Sequence, residues 1–135
     1  MQISQVMTPN PTAAQASDSL QAVAAQMQSG NFGSMPVLDG GRFAGVVTDR
    51  DIAVRGVAKG CGPDEPVSAV MSGDPVCVGP DCDVQDAARL MQDKQIRRLY
   101  VTDGDALVGV VSLGDVALEA GDQLTGETLE EISKA

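Results

Sequence analysis

The chain has 135 residues and a mass of 13.9 kDa, enough for one compact domain or for two very small ones that share a core. Nine Lys and Arg against nineteen Asp and Glu leave a formal net charge of −10, which repels a phosphate backbone and excludes a general nucleic-acid binder. The chain contains no His, so it lacks a His-dependent catalytic triad, a His general base and His-ligated zinc. Because aromatic residues make up only 2% of the chain, the core must be aliphatic.

The first predicted elements along the chain are a short strand over residues 11–14 and a capped amphipathic helix. Residues 17–19, Ser-Asp-Ser, supply the side chains that favour a helix N-cap, and Gly30 is typical of a helix end. Between them, apolar residues recur with the i, i+3, i+4, i+7 spacing of one helix face: Leu20, Val23, Ala24 and Met27.

A hairpin and a second helix are predicted next. Apolar runs over residues 35–38 and 43–47 flank Asp39-Gly40-Gly41, a composition that favours a tight turn between two strands. A helix is then predicted from Asp49 to about Ala58. The order of elements in this half of the chain is therefore strand, helix, strand, strand, helix.

Residues 56–69 carry three glycines and two prolines and are predicted to link this half to the next. The same elements then recur over residues 75–78, 83 onward, 99–102, 107–111 and 113–119. We predict a first unit over residues 1–60, a second over 66–120 and a tail over 121–135. The tail contains Thr128-x-x-Glu131, a possible capping box, and is either a short docked helix or a frayed end.

An internal repeat accounts for this recurrence. A shift of 64 residues aligns Val6–Ala53 with Val70–Ala117 without a gap, and 15 of the 48 aligned positions are identical. A unit of about 50 residues seldom buries enough surface to fold alone, so we expect the two copies to share a core.

The segment that could carry chemistry lies at residues 45–51 and again at 109–115. In each copy a hydroxyl residue ends a strand and a carboxylate follows three residues later: Thr48 with Asp51, and Ser112 with Asp115. One interpretation is a helix N-cap, worth ~1 kcal/mol in each copy. The other is a nucleotide site, because an open helix N-terminus binds anions and a carboxylate can accept both hydroxyls of a ribose.

The two copies open with Val-Met-Thr and Val-Met-Ser, and each holds Gly-Val-Val-Thr/Ser-x-x-Asp. In this the chain resembles a tandem cystathionine-β-synthase (CBS) domain protein of the small stand-alone type, over about residues 3–120. The resemblance implies an α/β fold of two pseudo-twofold related β-α-β-β-α units packed as an intramolecular pair. It also implies a cleft between the copies in which Thr48, Asp51, Ser112 and Asp115 bind phosphate and ribose.

Further candidate ligand residues follow from the same resemblance. Family members often carry Arg just before the hairpin strand, which points to Arg98, with Arg97 beside it, as phosphate contacts in the second copy. Tyr100 could stack on an adenine or pack as a core or rim residue. Weaker candidates are Pro36, Arg50 and Val76. The first copy has the uncharged pair Gly33-Ser34 where the second has its two arginines.

The resemblance implies a regulatory module, not an enzyme, that binds an adenosine compound such as AMP, ADP, ATP, NAD or S-adenosylmethionine and responds by a population shift. It also implies a homodimer and an unidentified protein partner that reads the ligand state, and no required cofactor. The alternative is a scaffold whose nucleotide sites have decayed. An enzyme that uses the carboxylates or a thiol is disfavoured, because the chain has no Gly-x-x-x-x-Gly-Lys loop and no acidic metal cluster around the motifs.

The expected location is the cytoplasm. The N-terminus lacks the features of a signal peptide, and no segment approaches the ~20 apolar residues of a membrane span. Cys61, Cys77 and Cys82 are odd in number and show no Cys-x-x-Cys spacing, so we expect reduced thiols and no metal site. Cys77 is predicted to be a small strand residue, whereas Cys61 lies in a polar stretch where exposure and redox reactivity stay open.

Overall fold

In a computed structural model of the chain, the described residues are 1–120, with side chains described as far as residue 117. The possible capping box at Thr128 lies outside them. The chain divides into two compact units. Thr12–Pro75 forms the first-copy unit, and Met1–Pro11 together with the residues from Val76 onward forms the second-copy unit.

Seven strands and four α-helices make up the regular structure of residues 1–120. In chain order they are β1 (Thr8–Pro9), β2 (Ala14–Gln15), α1 (Leu20–Gly30), β3 (Ser34–Asp39), β4 (Arg42–Thr48), α2 (Asp49–Asp51), β5 (Cys77–Val78), α3 (Val84–Lys94), β6 (Arg98–Asp103), β7 (Ala106–Ser112) and α4 (Leu113–Ala120). None of these helices has the length and apolar character needed to cross a membrane.

Each unit contains one mixed sheet. In the first-copy unit the strand order is β2-β3-β4, with β2 parallel and β4 antiparallel to β3. In the second-copy unit the order is β1-β7-β6-β5, with β5 parallel to β6 and the other neighbours antiparallel. The predicted order of strand, helix, strand, strand, helix is confirmed in both copies, and so is the α/β class.

The first helix of each copy forms as its sequence predicts. Before α1, the Ser19 side chain accepts a hydrogen bond from the Ala22 backbone N–H at 3.1 Å. Before α3, the Asp83 side chain accepts one from the Gln85 N–H at 2.8 Å. Both helices end at a left-handed residue, Asn31 or Gln95. Each cap satisfies a backbone donor that the helix itself leaves free.

The helix predicted from Asp49 to Ala58 is not one regular α-helix. After α2 the chain continues through a π-helical turn (Ile52–Gly56) and a 3-10 turn (Val57–Lys59). Gly56 is buried there, and a Cβ at this position would lie 3.3 Å from a Leu20 methyl group. A π turn holds more residues than an α-helical turn. Here it places Gly56, which has no side chain, against the core.

The segment that precedes each copy's first helix packs in the other copy's unit. We call it the leading segment; it contains Ile3 and β1 in the first copy and Ser72 in the second. Ile3 is fully buried in the second-copy core, and β1 pairs with β7. In the first-copy unit, Ser72 forms a two-way backbone bridge with Val46, each N–H bonding the other's carbonyl at 2.9 Å. This exchange arises because the outer edges of β4 and β7 need hydrogen-bond partners, and the leading segments supply them.

The motif glycines make this exchange possible. A Cβ at Gly45 would collide with the Ser72 carbonyl oxygen, and one at Gly109 would collide with the Met7 sulfur. The glycine of each Gly-Val-Val motif is therefore required by close chain packing.

The two units have separate aliphatic cores. The first-copy core contains Ala14, Leu20, Val23, Met27, Met35, Val37, Val47, Val67 and Val70. The second-copy core contains Ile3, Val84, Ala87, Ala88, Met91, Leu99, Val101, Val111, Leu113 and Val116. The buried residues of both clusters are aliphatic, and the partly buried Phe32 packs against the first-copy core.

Candidate functional site

The repeated hydroxyl and carboxylate residues form the same reciprocal cap in both copies. In the first copy, Thr48 Oγ1 accepts from the Asp51 N–H at 3.0 Å, and Asp51 Oδ2 accepts from the Thr48 N–H at 2.9 Å. In the second, Ser112 Oγ accepts from the Asp115 N–H at 3.2 Å, and Asp115 Oδ2 accepts from the Ser112 N–H at 2.8 Å. The predicted capping role is therefore confirmed. All four side chains are only partly buried, so the oxygens also remain accessible.

The strand register places a charged side chain next to one cap only. Arg98 pairs directly with Ser112 across the β6–β7 ladder, and residues opposite each other in an antiparallel pair project from the same face. Ser34 pairs with Thr48 at the matching position of β3 and β4. The second copy thus has a guanidinium, a hydroxyl and the Asp115 carboxylate at one strand end, where the first has no cation on β3.

Tyr100 lies on the same face of β6 as Arg98, two residues along, and is only 7% exposed. Its backbone N–H donates to the Val76 carbonyl at 3.3 Å. The Val76 side chain packs against the second-copy core. The structure therefore brings Arg98, Tyr100 and Ser112 to one sheet face and directs Val76 away from it. Pro36, at the position equivalent to Tyr100, is buried.

The residues at the start of the second helix differ in charge between the copies. Leu113 is 6% exposed, and its N–H donates to the Arg97 carbonyl at 2.8 Å. At the equivalent position Asp49 is exposed, and its N–H donates to the Gly33 carbonyl at 2.9 Å. At this position the first copy therefore has the carboxylate of Asp49, whereas the second copy has the apolar side chain of Leu113 next to Arg97. Arg50 is exposed, and its N–H donates to Asp49 Oδ1 at 2.8 Å.

Arg55, which the sequence analysis did not single out, lies beside the first-copy cap. Its Nε lies 3.9 Å from Asp51 Oδ1, and its Nη1 donates to Ser72 Oγ at 3.4 Å. The shift of 64 residues puts Glu119 at the equivalent position, so the second copy has an acid there. This difference between equivalent positions was the sequence signal that could have identified Arg55.

An open cavity of about 420 Å³ lies beside this part of the first-copy unit. Its lining residues are Met27, Gln28, Asn31, Phe32, Gly33 and Asp49. Asp49 is the single ionisable group of that lining and gives the cavity a negative charge. A phosphate would be repelled from it.

Two of the three thiols, those of Cys77 and Cys82, have raised pKa values. All three cysteines are free, and Cys77 is exposed on β5 as a strand residue. Although Cys77 is exposed as a residue, partial burial of its sulfur raises the pKa of the thiol. A hydrogen bond with the Thr102 side chain lowers that pKa in part. Burial also raises the pKa of the Cys82 thiol, as do the carboxylates of Asp86, Asp83 and Asp81. Raised pKa values reduce the thiolate fraction at neutral pH. Within residues 1–120 no cluster of three acidic or sulfur ligands could hold a metal ion.

Comparison with known proteins identifies relatives along nearly the whole chain. The CBS domain model matches twice, over residues 3–56 and 67–121. The CBS domain-containing protein YhcV of Bacillus subtilis is 38% identical over 132 residues, which cover 97% of this chain and 94% of that protein. Hypoxic response protein 1 of Mycobacterium tuberculosis is 31% identical over 102 residues, with 74% and 71% of the two chains covered.

Solved structures agree with this match. The crystal structure of CBSX2 in complex with AMP superposes with a TM-score of 0.77 at 26% identity and covers 88% of this chain and 95% of that one. A putative acetoin utilization protein from Vibrio cholerae, at 23% identity, shares the fold over 100% of this chain with a TM-score of 0.79.

Proposed function

This chain belongs to the CBS domain family, and we propose that it is a non-enzymatic regulatory module that binds an adenosine-containing ligand and signals by a conformational shift. The observation that carries the proposal is the alignment of Arg98 with Ser112 beside the Asp115 cap. A nucleoside phosphate needs a cation and donors for its phosphate and a carboxylate for its ribose. The AMP complex of a relative with the same fold supports this ligand class.

Asp115 is the proposed ribose ligand in the second copy. One carboxylate oxygen already accepts the Ser112 N–H, and a carboxylate has about four acceptor positions, so the cap leaves capacity for two ribose hydroxyls. The Leu113 N–H already donates to the Arg97 carbonyl and the Asp115 N–H to Ser112 Oγ, so the groups that favour an anion here are the Ser112 hydroxyl and the positive end of the α4 dipole. Arg98 would then bind the phosphate, as a planar guanidinium binds two phosphate oxygens at once. Arg97 is exposed beside it and adds positive charge.

Tyr100 has a supporting place in this site. With 7% of its surface exposed, the ring offers little area for stacking and supports the sheet face beneath the ligand. The burial of Tyr100 favours core packing over the adenine-stacking role.

Thr48 and Asp51 are the proposed ligand residues of the first copy, with Arg50 nearby. Their cap has the same geometry as that of the second copy, so Asp51 is the equivalent ribose-binding residue. The phosphate contact is the weaker part, because Gly33 and Ser34 carry no charge and Asp49 is negative. We therefore propose that the second copy holds the stronger site.

The chain is also proposed to form a homodimer, which would present the ligand-dependent change to an unidentified protein partner. Val54 and Val57 are 47% and 69% exposed, one helical turn apart along the segment that follows α2. A second copy of the chain is the proposed occupant of this patch, as the family resemblance implies. The three cysteines are free, as thiols are in the reducing cytoplasm, and this supports the proposal that the protein acts there.

Two measurements test this function. Native mass spectrometry of freshly purified protein should show a dimer with a co-purified adenosine nucleotide, and Val57→Glu should shift the mass to the monomer. Isothermal titration with adenosine, AMP, ADP, ATP, NAD and S-adenosylmethionine should give heat with at least one of them. Absence of heat with every compound would favour the scaffold alternative, and product from ATP with Mg²⁺ would refute the non-enzymatic role.

A further inference from the structure

Arg55 connects two parts of the first-copy unit, the start of the second helix at Asp51 and the segment that holds Ser72. The π turn that follows α2 carries it, and 55% of its side chain is exposed. The guanidinium approaches Asp51 Oδ1 at 3.9 Å and donates to Ser72 Oγ at 3.4 Å. Ser72 is in turn held to β4 by its backbone bridge with Val46.

The position of Arg55 matters because the guanidinium lies beside the oxygen of Asp51 that the cap does not use. Asp51 Oδ2 accepts the Thr48 N–H, and Oδ1 is the oxygen nearest Arg55. The Asp51 side chain is only 17% exposed, so a ribose and a guanidinium would approach the carboxylate through the same small opening. A ribose that donates two hydroxyls to Asp51 must therefore displace the guanidinium or share the carboxylate with it.

No described side chain of the second copy competes for Asp115 in this way. The position equivalent to Arg55 is Glu119, which cannot pair with a carboxylate, and the position equivalent to Ser72 is Thr8. Among the described residues, the Asp115 carboxylate accepts a hydrogen bond from the Ser112 N–H and forms no ion pair. Two caps with the same geometry thus differ in whether a cation already engages the carboxylate.

We propose that Arg55 is a specificity-determining residue that competes with ribose for Asp51 and so makes the first copy the weaker adenosine site. This inference rests on the proposed function and names the residue that ranks its two sites. Arg55 could instead be a phosphate contact that replaces the arginines missing from β3. Its contact with Asp51, the proposed ribose-binding residue, favours the competitor role, and the two roles predict opposite effects of removing the Arg55 side chain.

The experiment measures the first-copy site by calorimetry of the 135-residue chain after the second site has been weakened. Asp115→Asn weakens the second site by removing its charge, while the amide oxygen can still accept the Ser112 N–H and keep the cap. In that background Arg55→Gln, Arg55→Lys and Arg89→Gln are compared, with adenosine and AMP as probes. Arg89 is the matched control, because its Nη1 also lies 3.9 Å from a carboxylate, that of Asp86, on an exposed helix surface.

Arg55→Gln should tighten adenosine binding about two- to fivefold, the range for release of one partly exposed ion pair. The affinity for AMP should increase less than that for adenosine, because the guanidinium that is removed also attracted the phosphate. Arg55→Lys should stay near the parent affinity, and Arg89→Gln should change nothing. A merely structural role would leave affinity unchanged or weaken it, so tightening is diagnostic.

Two results would overturn the inference while the proposed function stands. Equal adenosine affinities for Arg55→Gln and Arg89→Gln would make Arg55 a bystander, and selective loss of AMP affinity would make it a phosphate contact. Absence of binding by the parent and the unmodified chain would overturn the proposed function and the inference with it. If the double variants do not fold, Arg55→Gln is introduced alone and its titration is fitted with two sites. This gives the same comparison, because the larger of the two dissociation constants should fall.

Discussion

The first-copy and second-copy units have the same cap but different charges around it. Both helix starts are held by a hydroxyl and a carboxylate within about the same distances. Around the first lie Asp49 and Arg55; around the second lie Arg98 and the buried Leu113. Capping geometry is thus required by the fold and retained in both copies, whereas the surrounding charges are free to change. In the proposed function those charges, more than the motif, rank the two caps as sites for a nucleotide.

The largest expected effect concerns the glycines that admit the leading segments. Gly45→Ala should lower the free energy of unfolding by about 2–4 kcal/mol, because the new methyl group meets the Ser72 backbone carbonyl. Gly109→Ala should cost less, about 1–2 kcal/mol, since the side chain of Met7 can move aside. Urea denaturation measures both. Gly62→Ala, in open space, is the control, and equal losses at Gly45 and Gly109 would show that the two units tolerate the change alike.

The next effect concerns the carboxylates. Asp115→Ala should weaken adenosine-nucleotide binding by about 1.5–3 kcal/mol, the value of hydrogen bonds to a charged group. Asp51→Ala should cost less, because Arg55 already engages that carboxylate and no cation lies on β3. Calorimetry of both variants with AMP tests the ranking. Each substitution also removes a cap, so melting without ligand must be measured alongside, and a larger loss at Asp51 would reverse the order of the sites.

Arg98 provides a narrower test of the same difference. Arg98→Ala should weaken AMP and ATP about tenfold and leave adenosine almost unchanged, because only the phosphate meets the guanidinium. Arg98→Lys should restore part of the loss, and the effect should persist at moderate salt in a partly buried site. Titrations with adenosine, AMP and ATP at two salt concentrations measure it. If adenosine weakens as much as AMP, Arg98 shapes the site and does not bind phosphate.

The smallest expected difference concerns the first helices. Ser19→Ala and Asp83→Ala should each destabilise by ~1 kcal/mol, because each removes one N-cap bond. Asp83 also lies 3.7 Å from the amino group of Met1, but both groups are about half exposed and such a pair adds little. Urea denaturation should therefore give similar values for the two variants. A much larger loss for Asp83→Ala would show that the N-terminal amine anchors the leading segment of the second-copy unit.

Helices α1 and α3 were predictable because their signals are local. The apolar spacing, the cap residues and the residue that ends each helix lie within one stretch of about 12 residues. The hairpins were predictable for the same reason, since Gly40, Gly41 and Gly104 take the positive φ that their turns require. Asn31 and Gln95 end the helices, one residue beyond the predicted Gly30 in the first copy.

Other features depend on partners distant in sequence. The break in the helix after Asp51 is explained by the approach of Leu20 and Val70 to Gly56, and neither neighbour is visible from the local pattern. The pairing of β1 with β7 joins residues about 100 positions apart. Arg55 was overlooked because Ser72, its second contact, lies 17 residues away on the leading segment of the other copy.

The sequence by itself determined the duplication, the order of elements in each copy and the caps at Thr48 and Ser112, because each is encoded by residues within a few positions of one another. Tertiary structure decided which leading segment completes which unit, because sheet edges and close backbone approaches are filled by whichever strand fits them in space. It also decided that Arg98 stands opposite Ser112 and that Arg55 reaches Asp51 and Ser72, since strand register and a widened helical turn set those distances.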